Sequence, residues 1–307
     1  MQTEYDRNVY RGYLVQGNLR GAIEYLRQFP EKRELCDRYV SVFEEEVYPE
    51  YEKDRYLNDL LLIYQKYYRE VFYLGYEEER AAEYMQDRFA KVLGMKDESL
   101  DQIEERVSSI FSDRGFHFLG GKTSGYFGPY IWSFTETRTF EVELPGGVAE
   151  YTVNLLDGFI SRSWLDFISF GETGTGGWTG SDGVINCVSK AYDLEGEGFR
   201  VSLLKHEAQH AVDLARCVDM PSEDLEYRAK LVELIYSRER NLLRYFLQEM
   251  SGSDSRNGHS LAAARIVEGI SRKTGIGRKE LENLSVAEVQ RIAGELFAES
   301  EGVYAKL

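Results

Sequence analysis

An α+β fold is predicted by changes of texture along the chain. A Tyr-, Leu-, Glu- and Arg-rich stretch of helical period runs to about Ile110, Gly-, Thr- and aromatic-rich segments with strand alternation begin at Phe111, and helical period returns from about Phe199. The first change sets an expected boundary between a mainly helical N-terminal domain over 1–110 and a second domain over 111–307, in which a small sheet precedes a helical C-terminal part.

Each element has its own signal. Leu60 to Tyr73 and Glu77 to Leu93 carry apolar residues three and four apart, the spacing of one helical face, and Gly75 breaks them into two helices. Gly17 to Leu26 is similar to a fragment of a helical repeat, yet no second copy follows at a fixed spacing. Phe140-Glu141-Val142-Glu143-Leu144 alternates apolar and acidic residues, stops at Pro145-Gly146-Gly147 and resumes over Ala149 to Leu155, the pattern of a hairpin. Gly171 to Gly183 is a glycine-dense loop carrying Trp178, ahead of a strand over Gly183 to Val188. Phe199 to Cys217 reads as one helix, Met220-Pro221-Ser222 as a break with Ser222 as N-cap, and Glu223 to Met250 as one long helix. A polar loop over Ser251 to Gly258, a helix from Ser260 to about Arg272 and a terminal helix over Val286 to Glu299 complete the reading.

Composition narrows the function classes. The hydrophobic share of 43% across 307 residues is enough for a sizeable core. No apolar run reaches the length of a membrane span, and Met1-Gln2-Thr3-Glu4-Tyr5-Asp6 lacks the basic and apolar regions of a signal peptide, so a soluble chain is expected. A net charge of -16 disfavours nucleic acid as a partner. Cys36, Cys187 and Cys217 form no CxxC pair, which favours a reducing, cytoplasmic compartment over a disulfide framework. Gly120-Gly121-Lys122-Thr123-Ser124 lacks the first glycine of a phosphate loop, so nucleotide binding is not expected.

Chemistry concentrates in His206-Glu207-Ala208-Gln209-His210, the HExxH pattern. Residues four apart stand one turn apart on a helix, so both imidazoles can reach one ion. Glu207 beside them can take a proton from a metal-bound water. A catalytic zinc normally has three protein ligands. The other two histidines, His117 and His259, lie far off in sequence, and His117 between two phenylalanines reads as core, so a carboxylate is the simplest third ligand. A helix, a turn and an antiparallel helix would bring Glu226 back to the level of the histidines. Glu233, two turns on, is the rival, and its alternative role is an ion pair with Lys230. Glu223 and Asp224 suit a helix N-terminus. Asp213 either orients a metal-bound imidazole or faces solvent, and Cys217 reads as a buried thiol.

His206-Glu207-Ala208-Gln209-His210-Ala211-Val212-Asp213, followed by Glu226-Tyr227-Arg228-Ala229-Lys230, resembles the gluzincin branch of the zincin metallopeptidases over roughly Tyr151 to Met250. The resemblance implies that His206, His210 and Glu226 bind Zn2+ and that Glu207 is the catalytic base. It also implies a zincin-like domain, with a small mixed sheet above the active-site helix and an edge strand that binds an extended peptide by strand addition. Gly183 to Val188 is the candidate edge, and Gly176, Gly177 and Trp178 would border the cleft. Some members place an oxyanion-stabilising histidine after the second helix, the position of His259, for which a plain helix-start residue is the alternative. Tyr227, Tyr236, Tyr126 and Tyr130 are other possible donors. The separation of His210 and Glu226 is shorter than in the best-known members.

A zinc-dependent peptidase acting on a peptide or protein substrate is therefore expected. The competing class is a helical-repeat interaction protein with a structural or degenerate zinc site, which the intact Glu207 disfavours, since a structural metal needs no base beside it. A zinc hydrolase acting on another bond is the third reading.

Overall fold

The computed structural model describes residues 4–96, 98–180, 182–250 and 258–304. It is an α+β structure in two compact units, Met1–Phe134 with Asp157–Thr175, and Thr135–Leu156 with Gly176–Leu307. The boundary expected at 110/111 is thus displaced. Ile110 and Phe111 are buried in the core of the first unit, Phe116 and Phe118 pack on that core, and Trp164, Phe167 and Ile168 return to fill it. The change of composition at Phe111 marks where short strands begin to cover the helices, not where a new core starts.

The first unit contains α1 (Arg7–Val15), α2 (Leu19–Leu26), α3 (Arg33–Tyr39), α4 (Arg55–Tyr68), α5 (Glu78–Leu93) and α6 (Leu100–Ser112). Asp6, Asn18, Asp54 and Ser99 cap helix N-termini by accepting backbone N–H bonds, with Ser99 and Gln102 forming a capping box. Helix α4 runs into a π-helical turn over Arg69–Leu74 and ends at Gly75, whose φ of 73° is the left-handed conformation that glycine adopts without strain. The tyrosine-rich composition has a packing reason. Tyr64 and Tyr67 fill the core with their rings, and their hydroxyls donate to Glu104 at 2.9 Å and Glu78 at 2.9 Å. Burial raises the Glu104 carboxyl above the usual range, an effect that the bonds from Tyr64 and from Gly121 N–H oppose. Strands β1 (His117–Leu119), β4 (Tyr130–Trp132) and β7 (Ser161–Arg162) form an antiparallel sheet, β2 (Lys122–Thr123) pairs with β3 (Tyr126–Phe127), and α7 (Ser163–Ile168) follows β7. His117 is exposed and stacks on Trp132 with ring centroids 5.3 Å apart, so it is not a core residue as its phenylalanine neighbours suggest. Period-two alternation on a short strand sends it to the opposite face from them.

In the second unit β5 (Phe134–Leu144), β6 (Gly147–Asp157), β9 (Ile185–Val188) and β8 (Gly177–Thr179) are neighbours in that order. β5 and β6 are the expected hairpin, extended at both outer ends. β9 runs parallel to β6 and antiparallel to β8, which makes the sheet mixed. β9 is therefore an interior strand and not the edge. The glycine-dense segment before it is itself a strand, β8, which pairs through Thr179 with Ile185 and Gly177 with Cys187. Val153, Leu155, Ile185 and Cys187 face the core of this unit.

Among the described residues the α-helices of the second unit are α8 (Glu197–Arg200), α9 (Leu204–Arg216), α10 (Ser222–Tyr236), α11 (Asn241–Glu249), α12 (Gly258–Thr274) and α13 (Val286–Tyr304). Two expected helices are each divided. The first breaks between Arg200 and Leu204. The second breaks after Tyr236, where Glu197 Oε1 accepts from Ser237 Oγ at 2.6 Å, Arg238 N at 2.7 Å and Glu239 N at 3.2 Å, partners that a continuous helix would have bonded internally. Ser222 is the first residue of α10 and its hydroxyl makes no capping bond. Apart from Gly258, the loop expected over 251–258 lies outside the described residues. Helix α10 is the hub of the unit: Tyr227 through Leu234 are all buried, against α9, α12 and α13. Among the described residues no helix is long and apolar enough to cross a membrane.

Candidate metal centre

Helix α9 presents His206 and His210 on one face, their Nε2 atoms 3.0 Å apart. Helix α10 brings Glu226 to them, with Oε2 3.5 Å from His206 Nε2 and Oε1 3.6 Å from His210 Nε2. These three residues form a group that can hold a metal ion. The fit is physical as well as chemical. Ligands about 2.0–2.1 Å from a tetrahedral ion lie roughly 3.3 Å from one another, close to the separations seen. The Glu226 carboxylate is largely buried among the imidazoles of His206, His210 and His259, a setting in which a cation is a favourable partner for its charge.

The second nitrogen of His206 is also engaged. Nδ1 donates to Glu233 Oε1 at 2.7 Å, which fixes the ring and turns Nε2 towards His210 and Glu226. Glu233, the rival for the third position, is thus a partner of a histidine. Lys230 does not pair with it, because its ammonium donates to Glu249 Oε2 at 2.9 Å. The field of the pocket favours positive charge. Burial pushes the His206 imidazolium down, but Glu226 and Glu233 outweigh it and carry its pKa up to about 10. Burial works to raise the Glu226 carboxyl, and His206, His210 and His259 together hold it well below the usual carboxylate range.

Glu207 follows His206 on α9 and is nearly buried. Its carboxylate is held from the sheet: Thr179 Oγ1, at the end of β8, lies 2.7 Å from Glu207 Oε2 and 3.0 Å from the Glu207 carbonyl oxygen. His259, at the start of α12, places Nδ1 2.8 Å from Glu226 Oε2 while 52% of its side chain stays exposed. Residues distant in sequence, His206, His210, Glu226, Glu207 and His259, are thus gathered in one unit.

Other expectations are redirected. Asp213 does not face solvent and does not contact a histidine. It is fully buried, accepting from Gln209 Nε2 at 2.9 Å and from Arg228 Nε at 2.9 Å. Arg228 also donates to Ser300 Oγ at 2.7 Å and to Glu301, which ties α9 and α10 to α13. Cys217 is half-buried just past the end of α9. Among the alternative donors, Tyr227 lies under the Arg265 guanidinium, 4.0 Å from ring centroid to Cζ, and Tyr236 lies under Lys205, 3.8 Å from Nζ. Tyr126 and Tyr130 belong to the first unit. Sequence reasoning missed Thr179 and Arg228. The close-packed glycines around Trp178 were the only signal for the first, and a charge on the buried face of α10 gave none for the second.

Comparison of the chain with protein-family models, with curated proteins and with solved structures finds no match.

Proposed function

We propose that this chain is a zinc-dependent hydrolase and that its substrates are peptide bonds. The observation that carries the reading is the convergence of His206, His210 and Glu226 on one point, with Glu207 on the same helix as the histidines. Two imidazoles and one carboxylate are a donor set suited to zinc, and three protein ligands leave a position open for water or substrate. A zinc ion bound there supplies a Lewis acid and lowers the pKa of a water it binds. Glu207 takes the proton of the attacking water and returns it to the departing amine, the shuttle that a carboxylate beside the ligands can perform. His206 and His210 stay neutral as ligands, with Glu233 holding the His206 ring. The packing of β8 and β9 against α9 supports the zincin-like domain as the frame, with β8 in the position first expected of β9.

The test is metal analysis of the full chain together with the Glu207→Gln variant. We expect about one zinc per chain in both proteins, with cleavage of a fluorogenic peptide library by the wild type only. Equal cleavage by both discards Glu207 as base. Bound metal without cleavage of any peptide by the wild type sinks the peptidase reading and favours the interaction class.

A further inference from the structure

The contact between Thr179 and Glu207 joins the sheet to the helix at the reacting carboxylate. We propose that Thr179 is a positioning residue, whose hydroxyl fixes the Glu207 side chain for proton transfer; this rests on the hydrolase reading. Three observations converge on it. First, the hydroxyl lies within hydrogen-bond distance of both the carboxylate and the backbone carbonyl of Glu207, at 2.7 and 3.0 Å, so its single proton always has an acceptor on that residue. Second, a threonine side chain is stiff at χ1, so the strand backbone dictates where the hydroxyl stands. Third, the approach of β8 to α9 is built in by glycines. A Cβ at Gly177 would lie 2.5 Å from the Asn186 carbonyl oxygen and 2.6 Å from Leu203 Cδ1, immediately before α9, and one at Gly176 would overlap the Tyr192 hydroxyl. The glycine-dense stretch is therefore the means by which a strand reaches a buried carboxylate on the neighbouring helix.

A general base works only within reach of the proton it takes, and a displacement of about 1 Å can cost up to roughly a hundredfold in rate. Thr179 is not one of the three residues grouped around the metal position, so its loss should appear in turnover and not in metal content. The experiment uses the full-length, zinc-loaded protein with the peptides of the library that the wild type cleaves. Thr179→Val keeps the shape and removes the donor. We expect kcat to fall about tenfold or more, KM to move less than about twofold, and zinc per chain to stay the same. Thr179→Ser should recover most of the loss. Gly177→Ala, which keeps the hydroxyl but presses the strand off the helix, should also lower kcat. Full kcat in Thr179→Val, or a Ser variant as slow as the Val variant, overturns the assignment.

Failure of the hydrolase reading is separable. If the wild type cleaves no peptide, that reading falls, and Thr179 is judged by hydrogen exchange of the backbone amides over 177–180. Faster exchange in Thr179→Val than in wild type and Thr179→Ser upholds the anchoring of β8 on Glu207, and equal rates in all three overturn it.

Discussion

His206 Nδ1 and Glu233 Oε1 stand 2.7 Å apart inside the second unit, so the imidazole that faces Glu226 with one nitrogen is gripped by a second carboxylate through the other. Such a partner selects the tautomer with Nε2 available and makes it a better ligand. Glu233→Gln keeps an acceptor but removes the charge, whereas Glu233→Ala leaves a buried N–H without a partner. We expect zinc affinity, measured by competition with a chromophoric chelator, to fall roughly 10–100-fold in the alanine variant and less in the glutamine variant. Unchanged affinity in both would make Glu233 a purely structural carboxylate.

The Asp213–Arg228 pair carries a different prediction, one of stability. Both side chains are buried, and the guanidinium also serves Ser300 and Glu301, so α9, α10 and α13 meet at one cation. Removing one member of such a pair strands the other in a medium that cannot solvate it, at a cost of about 3–5 kcal/mol. Asp213→Ala should therefore lower the urea midpoint of unfolding, and Arg228→Met, which removes the cation itself, should do less harm in the Asp213→Ala background than alone. The Glu301 arm adds a pH dependence. Burial acts to raise its carboxyl, but Arg228 and Arg216 hold it below the ordinary value of 4.5. A group whose folded pKa is depressed contributes stability in full above its unfolded pKa and loses it as pH falls through the folded one. The destabilisation caused by Glu301→Gln should thus be present at pH 7, shrink as pH falls past the ordinary value of 4.5, and vanish only below the depressed folded value. An effect independent of pH would mean that the glutamate acts by packing alone.

Much of this centre was legible because helical period is a local code. The four-residue spacing of His206 and His210 put both on one face whatever the tertiary structure, and a helix, a turn and a second helix sufficed to return Glu226 to them. What lay beyond local code was missed. Whether β9 is an edge or an interior strand depends on which segment pairs with it, and β8 hid in a stretch whose glycines read as loop, since glycine signals turns and close approach alike. The boundary at Phe111 failed for the same reason, because composition marks a change of secondary structure but not which core a strand covers. Asp213 was misread because a charged residue three positions after His210 gives no hint that Arg228 waits on the next helix to neutralise it.

His259 separates two roles that the sequence left open. Its Nδ1 is 2.8 Å from Glu226 Oε2, and half of the ring is exposed. A residue donating to the oxyanion of a substrate acts in the transition state alone, so its loss lowers kcat and leaves the metal in place. A residue steadying Glu226 acts on the bound state of the metal, so its loss weakens affinity and leaves kcat at saturating zinc nearly unchanged. The short contact with Glu226 favours the second role. For His259→Ala we expect zinc affinity to drop about tenfold, within the range typical of partners that orient ligands. Chelator competition read beside kcat at saturating zinc decides it: a variant that keeps its zinc but turns over a hundredfold more slowly would return His259 to the oxyanion.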